Sequence, residues 1–370
     1  MSGTPSDSVS RVASASTGCG GVRLLCESAY ITYPHCNGFF GRDVVVGSFA
    51  GDVGRLVAKS LDAAGGAGRE LAAFEAAKPV WFDVAPSPAV AVAVAGGTVW
   101  LADLRGGRVP RALYRAQGGQ RLSDLACITA DGRRVVFTAR DADSDHSRGV
   151  VVDTISGEAT VVVEHDWHAN HFHFCPHDEA WVGYCHEGAT EVPDRLWAWH
   201  ATHAPRGRCL FDQRANAADP SRPLYVGHER FGFARTSTYV VAYGVSPGGP
   251  RGLWEVFPDP GRPPRLVSGG DGDWHCDVSR DGRLAVVDTA GPHDLPGVGP
   301  VDGSAGSDII LIDTATGARR HLGRAKVLSH PYHPHPVFTP DGSAVLFNSA
   351  TTGDHGRVRS AVHVVTLHER

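Results

Sequence analysis

The sequence has no long hydrophobic run and no block of basic residues. None of its apolar stretches approaches the roughly 20 residues that a membrane helix needs, and its formal net charge is −5 at pH 7. These absences predict a protein without a membrane segment and without a surface for nucleic acid. The first 18 residues lack the apolar core of a signal peptide. We therefore expect a flexible tail at 1–18 and a single domain at 19–370.

Closely spaced cysteines are also missing. The eight cysteines are scattered and include no C-x-x-C pair, whereas a disulfide framework or a thiolate metal site would need regular spacing. The pattern predicts reduced thiols in a cytoplasmic protein. Histidine is the abundant residue instead: there are 20, and many of them cluster.

A polar turn followed by a run of β-forming residues recurs along the chain. It occurs seven times, near Asp43, Pro88, Asp131, Asp178, Ser237, Asp281 and Asp341. Successive turns lie about 45 to 60 residues apart, which is the period of a four-stranded propeller blade. Helical periodicity is almost absent. We therefore predict an all-β protein, a seven-bladed β-propeller. A pair of β-sandwiches is the alternative, and seven evenly spaced units fit it poorly.

Three further hairpins fit the same frame. The turns Asp153–Gly157 and Asp313–Gly317 each lie between apolar runs, as turns between outer strands would. The stretch Gly54–Ala77 could form a helix, but its Ala- and Gly-rich middle favours a hairpin loop.

Histidines recur at one position of the repeat. The innermost strand of each blade lines the central channel of a propeller, so residues shortly before each turn face the axis. A histidine lies six residues before the turn aspartate, or before the residue aligned with it, at His171, His275 and His335, and His228 lies at a similar distance. We therefore predict that the fourth to seventh blades bring these four rings together.

The densest histidine group lies at Ser329–Pro336. His333 and His335 are two residues apart, so they point to one face of an extended strand, and His330 precedes them. With His275 from the neighbouring blade they make four imidazoles, a ligand type that suits Mn, Fe, Ni, Cu or Zn. A lone channel histidine is more often a hydrogen-bonded filler, but the four together predict a site for a divalent metal.

Five segments resemble the oligogalacturonate lyase family, whose members are seven-bladed propellers. These segments are HFHFCPHD at 171–178, YCHEG at 184–188, DRLW at 194–197, GHE at 227–229 and HPYHPHPVFTPDG at 330–342. Each is weak alone, but five in the same order are fairly specific. The likeness is dense from about 165 to 350 and thin in the first three blades.

The resemblance implies a manganese-dependent β-elimination on short galacturonides, as in pectin degradation. It assigns the metal, most simply Mn²⁺, to His275, His333 and His335, with His330 where the family has glutamine. The substrate would be a small acidic sugar or another carboxylate. A metal bound to that carboxylate would stabilise the negative charge formed when the C5 proton leaves.

The resemblance also assigns catalytic roles. The base carries over onto His228 and the catalytic arginine onto Arg195. Arg195 could instead form an ion pair with Asp194 or Glu187, and Glu187 could orient a histidine. Four other residues of these segments are expected to contact the substrate. They are His171, His173, His186 and Tyr332, the last of which lies in the histidine-rich part of the fifth segment, 330–336, called the metal loop.

The sequence departs from the family where the sugar would be recognised. Ala189-Thr190 stand where the family usually has Pro-Trp, and Arg230 intervenes before Phe231 after the GHE phrase. The reaction is therefore predicted better than the substrate. The alternative is the same chemistry on a non-pectin substrate, such as a secondary-metabolite intermediate. A non-catalytic propeller would leave the histidines unexplained, and a peptidase-associated propeller would need a separate hydrolase.

Overall fold

Seven four-stranded antiparallel sheets make up the described part of the chain. The computed structural model describes residues 21–62, 68–106, 109–289, 302–353 and 356–367. Within them lie 28 strands, four to each sheet. The predicted seven-bladed propeller is confirmed. The tail predicted at 1–18 lies outside the described residues.

The first six blades are meanders whose strands follow chain order from the channel outward. Their bounds are β2 Phe39–Phe40, β3 Asp43–Ala50, β4 Val53–Ser60 and β5 Arg69–Glu75 in blade one; β6 Phe82–Ala85, β7 Val90–Ala95, β8 Thr98–Asp103 and β9 Arg111–Arg115 in blade two; β10 Gln120–Ile128, β11 Arg134–Asp141, β12 Ser147–Asp153 and β13 Ala159–His165 in blade three; β14 Ala169–Phe174, β15 Trp181–His186, β16 Leu196–His200 and β17 Ala204–Cys209 in blade four; β18 Val226–Phe231, β19 Thr238–Ala242, β20 Gly252–Val256 and β21 Arg265–Gly269 in blade five; β22 Cys276–Val278, β23 Leu284–Asp288, β24 Asp302–Asp313 and β25 Arg319–Leu328 in blade six.

The seventh blade joins the two ends of the described chain. It contains β26 Val337–Phe338, β27 Ala344–Thr352 and β28 Val358–Thr366, and its outermost strand is β1 Arg23–Glu27. Arg23 pairs with Val364 and Glu27 with Ala361. The ring is therefore closed by a strand from the beginning of the sequence, a pairing that no local sequence pattern indicates.

The recurring turn phrases connect the first and second strands of all seven blades. In three of them a hydroxyl donates a hydrogen bond to the aspartate two residues later, at 2.6–2.7 Å, from Thr129, Ser279 and Thr339. The glycine that follows each aspartate has φ of +72°, a conformation that glycine adopts without strain. In these three blades the turn residues thus fix the start of the second strand. The three predicted hairpins, β4–β5, β12–β13 and β24–β25, are also present.

The core lies between neighbouring blades. The apolar face of blade one, including Leu56, packs on Phe82 and Ala91 of blade two, and the opposite face of blade two packs on blade three through Val92 and Val135. Both faces of each sheet are therefore buried, which explains why strands such as β7 (VAVAVA) read as continuous apolar runs.

The residues after β1 cross the central channel. This channel segment, Ser28–Gly38, pairs with blade one through Tyr30 and Gly47. It also accepts a hydrogen bond from blade five, where Arg230 Nη1 donates to the carbonyl of Pro34 at 2.8 Å. The segment therefore fills the axis along which the inner strands present their side chains.

The seven cysteines in the described ranges are free thiols, as predicted. No helix within those ranges has the length and apolarity to cross a membrane.

Candidate metal centre and active site

Three of the four predicted metal ligands converge at the channel. His275 lies just before β22 in blade six, and His333 and His335 lie in the loop that leads to β26 in blade seven. One ring nitrogen of each lies within 4.8 Å of those of the other two. The three side chains are 0%, 2% and 0% exposed respectively. Residues of two blades thus form one buried group of imidazoles. These three histidines are called the metal group.

Asp288 fixes the orientation of His275. Its carboxylate accepts hydrogen bonds from His275 Nδ1 at 2.8 Å and from the His275 backbone N–H at 3.0 Å. Because Nδ1 holds the proton, Nε2 has a lone pair, and Nε2 has no hydrogen-bond partner among the described residues. A carboxylate that holds the second nitrogen of a histidine is a typical arrangement behind a metal ligand.

The donor set fits a divalent cation. Both ring nitrogens of His335 also lack a hydrogen-bond partner in the described ranges, although a buried polar atom without a partner is costly. Burial lowers the pKa of His335 well below its usual 6.5, and the neighbouring His275 lowers it further. A neutral imidazole is the form that binds metal. A cation coordinated here would satisfy the buried nitrogens.

Asn348 holds the loop that carries the other two histidines. Its side-chain amide donates to the carbonyl of His333 at 2.9 Å, and its backbone N–H donates to the carbonyl of Pro334 at 2.8 Å. Its Oδ1 accepts the backbone N–H of Ile31 at 2.9 Å. The same side chain therefore connects the metal loop to the channel segment.

His330 lies at the outer edge of this group. Its ring centroid is 4.1 Å from that of His333 and 5.3 Å from that of His335, and its side chain is exposed, unlike theirs. It does not join the three converging nitrogens. The predicted fourth ligand therefore lies at the solvent-facing edge of the three buried histidines.

The predicted base lies beside the metal group. The ring centroids of His228 and His275 are 4.1 Å apart. Burial lowers the pKa of His228 well below 6.5, and the adjacent His275 and His171 lower it further, so the imidazole is neutral at pH 7. Its Nδ1 shares a hydrogen bond of 2.8 Å with Tyr33 Oη.

Three site histidines have a left-handed backbone. The φ angles of His171, His228 and His335 are 58°, 55° and 44°, and the strand register shifts at the first two. For a residue other than glycine this conformation costs roughly 1–2 kcal/mol. Bulges that turn a side chain are common beside active sites. Here two bulges direct the equivalent histidines of blades four and five into the channel, and the loop before β26 does the same for His335.

Arg195 lies within a network of carboxylates. Its Nη2 is 2.9 Å from Glu187 Oε1, and its Nε has no hydrogen-bond partner among the described residues. Burial opposes the ionisation of Glu187, but Arg195 and His171 outweigh it and lower the pKa to about 2. The expected Arg195–Glu187 pair is thus present, whereas Asp194 pairs with His186. His171 lies between Glu187 (3.7 Å) and Glu229 (3.4 Å).

A second group of potential ligands occurs in this network. Donor atoms of His171, Cys185 and Glu187 lie within 4.8 Å of one another. The guanidinium of Arg195 contacts the same glutamate, and burial raises the pKa of the Cys185 thiol. A permanent positive charge and a protonated thiol both disfavour a second cation here.

The predicted substrate contacts separate into different environments. His171, 12% exposed, and His330 line an open cavity of about 360 Å³ together with Tyr33 and Trp81. His173 is 1% exposed and stacks on His35 at 4.5 Å, so the structure does not bring it to the open cleft.

The other two predicted contacts do not line this cavity. His186 stacks on Trp167 at 4.1 Å and bonds to Asp194, and the half-buried Tyr332 packs edge-on against Tyr30 at 6.0 Å.

Sequence reasoning missed Tyr33, Glu229, Asp288 and Asn348. A signal for the last two exists in the repeat. Each lies seven residues after its turn aspartate, at the end of the runs LAVVD and AVLFN, and a polar residue at the end of a buried strand needs a polar partner. Tyr33 offers no comparable pattern.

Two oligogalacturonate lyases of known structure have the fold of this chain. One, solved in complex with manganese, aligns with a TM-score of 0.75 at 20% identity, covering 96% of this chain and 95% of that chain. The other, from Vibrio parahaemolyticus, aligns with a TM-score of 0.74 at 18% identity, covering 94% of each chain.

Other comparisons are weaker. A prolyl endopeptidase aligns with a TM-score of 0.52 at 12% identity, covering 93% of this chain and 47% of that chain. No protein-family model matches the sequence, and no curated protein matches it.

The resemblance predicted from five short phrases is confirmed at the level of the fold, and it extends over the first three blades, where the phrases are absent. The chain shares the seven-bladed propeller of the oligogalacturonate lyases over nearly its whole length.

Proposed function

We propose that this protein is a metal-dependent lyase that catalyses β-elimination on a short uronate similar to an oligogalacturonate. The observation that carries the proposal is the convergence of His275, His333 and His335 within 4.8 Å, directly beside His228. A metal-bound carboxylate and a neutral base next to it are the two groups that removal of a proton beside a carboxylate requires.

The metal site would hold Mn²⁺ on His275, His333 and His335, with His330 completing the set. A cation bound there would act as a Lewis acid that withdraws charge from the substrate carboxylate. Mn²⁺ is favoured because a structural neighbour contains manganese and imidazole is compatible with it.

His228 takes the proton from C5 of the uronate in this proposal. The electron pair of the C–H bond stays on the carbon and delocalises into the carboxylate. It then forms the C4–C5 double bond as the C4–O bond breaks. The leaving oxygen takes the electron pair of the C4–O bond and a proton from solvent. The low pKa of His228, due first to burial, keeps its ring unprotonated before the reaction.

Arg195 stabilises the negative charge that develops. Glu187 holds one end of its guanidinium, and the unpartnered Nε–H can donate a hydrogen bond to a substrate oxygen. Arginine keeps its charge at any working pH and binds carboxylates through paired N–H groups. Removal of this donor should therefore reduce the stabilisation of the transition state more than the binding of the substrate, and so lower kcat more than it raises KM.

The test is turnover of digalacturonate by the purified chain. Protein stripped with a chelator and reloaded with Mn²⁺ should release an unsaturated uronate, detected by its ultraviolet absorbance, and the stripped protein should not. Metal analysis of the same samples is the control. If the protein binds no Mn²⁺, the metal-dependent mechanism fails; if it binds Mn²⁺ and no product forms, the uronate is the wrong substrate.

A second candidate is the same elimination on a non-pectin carboxylate. It is supported by the part of the cavity wall that Trp81, Lys78 and Arg121 form. These residues come from blades two and three, the part of the chain without family phrases. A screen of other β-substituted carboxylates, with loss of the leaving group measured by mass spectrometry, would distinguish this candidate from the first.

A further inference from the structure

A tyrosine of the channel segment contacts the proposed base. Tyr33 Oη lies 2.8 Å from Nδ1 of His228, within hydrogen-bond distance. Tyr33 precedes blade one, whereas His228 lies in β18 of blade five, so the contact joins residues that are far apart in sequence. The proposed base is therefore bonded through one of its two ring nitrogens before any substrate arrives.

Packing on both sides fixes the position of the Tyr33 hydroxyl. The tyrosine is 3% exposed, and its ring centroid lies 5.0 Å from that of His171 and 5.1 Å from that of His335. The residues on either side are also held. Thr32 exchanges hydrogen bonds with Phe82, and Pro34 accepts one from Arg230.

Each partner of this contact can donate or accept a hydrogen bond, since a tyrosine hydroxyl and an imidazole nitrogen can both do either. At a separation of 2.8 Å one hydrogen atom lies between Oη and Nδ1. It belongs either to the tyrosine or to the histidine.

The two arrangements differ in what His228 can do. A neutral imidazole carries one N–H. If Tyr33 donates to Nδ1, the ring proton is on Nε2 and neither nitrogen can accept a proton from a substrate. If Nδ1–H donates to Oη, Nε2 keeps its lone pair. Only the second arrangement is compatible with a base.

We propose that Tyr33 is a positioning residue, which holds His228 as the Nδ1–H tautomer and leaves Nε2 as the atom that removes the substrate proton. The inference rests on the proposed function for the role of the base, but the tautomer is a property of the protein alone. When Nε2 takes the proton, Nδ1–H stays on Tyr33 Oη, so the contact also stabilises the imidazolium that forms.

The tautomer can be measured directly. Two-bond proton–nitrogen NMR spectra of the full chain labelled with ¹⁵N-histidine distinguish the two tautomers, and His228→Gln identifies the signals of His228. We expect Nδ1 protonated and Nε2 unprotonated, in chelator-treated protein and in protein loaded with diamagnetic Zn²⁺. An Nε2–H tautomer in the wild-type protein would overturn the proposal, whatever the activity.

Tyr33→Phe keeps the ring and removes the hydroxyl. We expect a mixture of tautomers at His228 and a kcat on digalacturonate lowered about 10- to 100-fold, with KM and bound Mn²⁺ within twofold of wild type. An unchanged tautomer in the folded variant would contradict the proposal. Should the variant not fold, the wild-type spectrum still decides the question.

Tyr30→Phe is the matched control. Tyr30 belongs to the same segment and is also buried, but its hydroxyl bonds to the backbone of Val80 and not to a histidine. This variant should be less stable and should keep the His228 tautomer and kcat. If both variants change the tautomer, the effect comes from the segment and the specific role of Tyr33 is wrong. If the tautomer is as expected but wild type does not act on digalacturonate, the proposed function fails and the positioning role stands.

Discussion

Asp288 and Asn348 occupy equivalent places in blades six and seven, and each forms hydrogen bonds that position a histidine of the metal group. Asp288 bonds to the ring and backbone of His275, and Asn348 bonds to the carbonyl of His333. At the scale of single residues the site therefore depends on side chains that would never touch a substrate. The repeat predicts the histidines of this group, whereas these partners act only through contacts that form on folding.

The roles of base and ligand separate in two alanine variants. His228→Ala should lower turnover by about 100-fold or more and leave Mn²⁺ bound, because His228 is not among the three converging imidazoles. His335→Ala should lose both metal and turnover. Metal content by mass spectrometry, with kinetics on the same samples, checks this. Near-normal activity of His228→Ala would show that the base is wrongly assigned.

Asp288→Asn tests the support behind His275. The substitution removes the negative charge and so weakens the acceptor that keeps the proton on Nδ1 of His275, and we expect Mn²⁺ to bind about 10- to 100-fold more weakly. Isothermal titration calorimetry measures this. Asp281→Asn is the control, since Asp281 is an exposed turn residue of the same blade. Equal affinities of the two variants would rule out the assigned role of Asp288.

At the scale of the strand, the bulges at His171 and His228 decide where the histidines point. The sequence predicts that these residues lie on inner strands, and that is where they are. It does not predict the left-handed φ at His171, His228 and His335. The surrounding structure imposes this conformation on histidine. The pattern of apolar and polar residues therefore does not indicate which histidines adopt it.

Glycine and alanine substitutions at two positions of β14 test the bulge. At His171, φ is 58°, so His171→Gly should be more stable than His171→Ala by about 1 kcal/mol. His173 lies on the same strand outside the left-handed region, and there the order should reverse. Urea unfolding of the four variants provides the free energies. The same order at both positions would contradict the bulge.

At the scale of the whole molecule, the number of blades could be predicted because each blade repeats a local turn. The closure of the ring could not, since β1 pairs with β28 at the opposite end of the sequence. The position of Tyr33 has the same cause: the channel segment follows β1 and contacts blades four, five and seven. Long-range placement of this kind depends on the completed ring.

The buried histidines make stability depend on pH. His35, His173 and His335 are at most 6% exposed, and burial is the first cause that lowers their pKa, to about 4 for His173. In the unfolded chain they take up protons near pH 6.5. Protonation therefore favours unfolding, and their contribution is complete above about 6.5 and falls as the pH drops toward 4.

We expect metal-free protein to lose up to about 4 kcal/mol of unfolding free energy for each pH unit below 6.5, at about 1.4 kcal/mol per histidine. Urea titrations in chelator at pH 7.5 and 5.5 measure it. His35→Phe should reduce the slope by about a third. The stabilisation from the Glu187 carboxylate, whose pKa is lowered to about 2, is complete above about pH 4.5 and is lost only below it, so it does not change between these two pH values. Equal stability at the two pH values would contradict neutral burial of these rings.

The channel segment makes the order of synthesis matter. Tyr33 is synthesised before His335, with six blades between them, yet their ring centroids lie 5.1 Å apart in the finished fold. A nascent chain can complete early blades as units, but the candidate active site stays incomplete until the last blade has met the first strand. Under the proposed function, a turnover assay would therefore count only molecules in which blade seven has closed on β1.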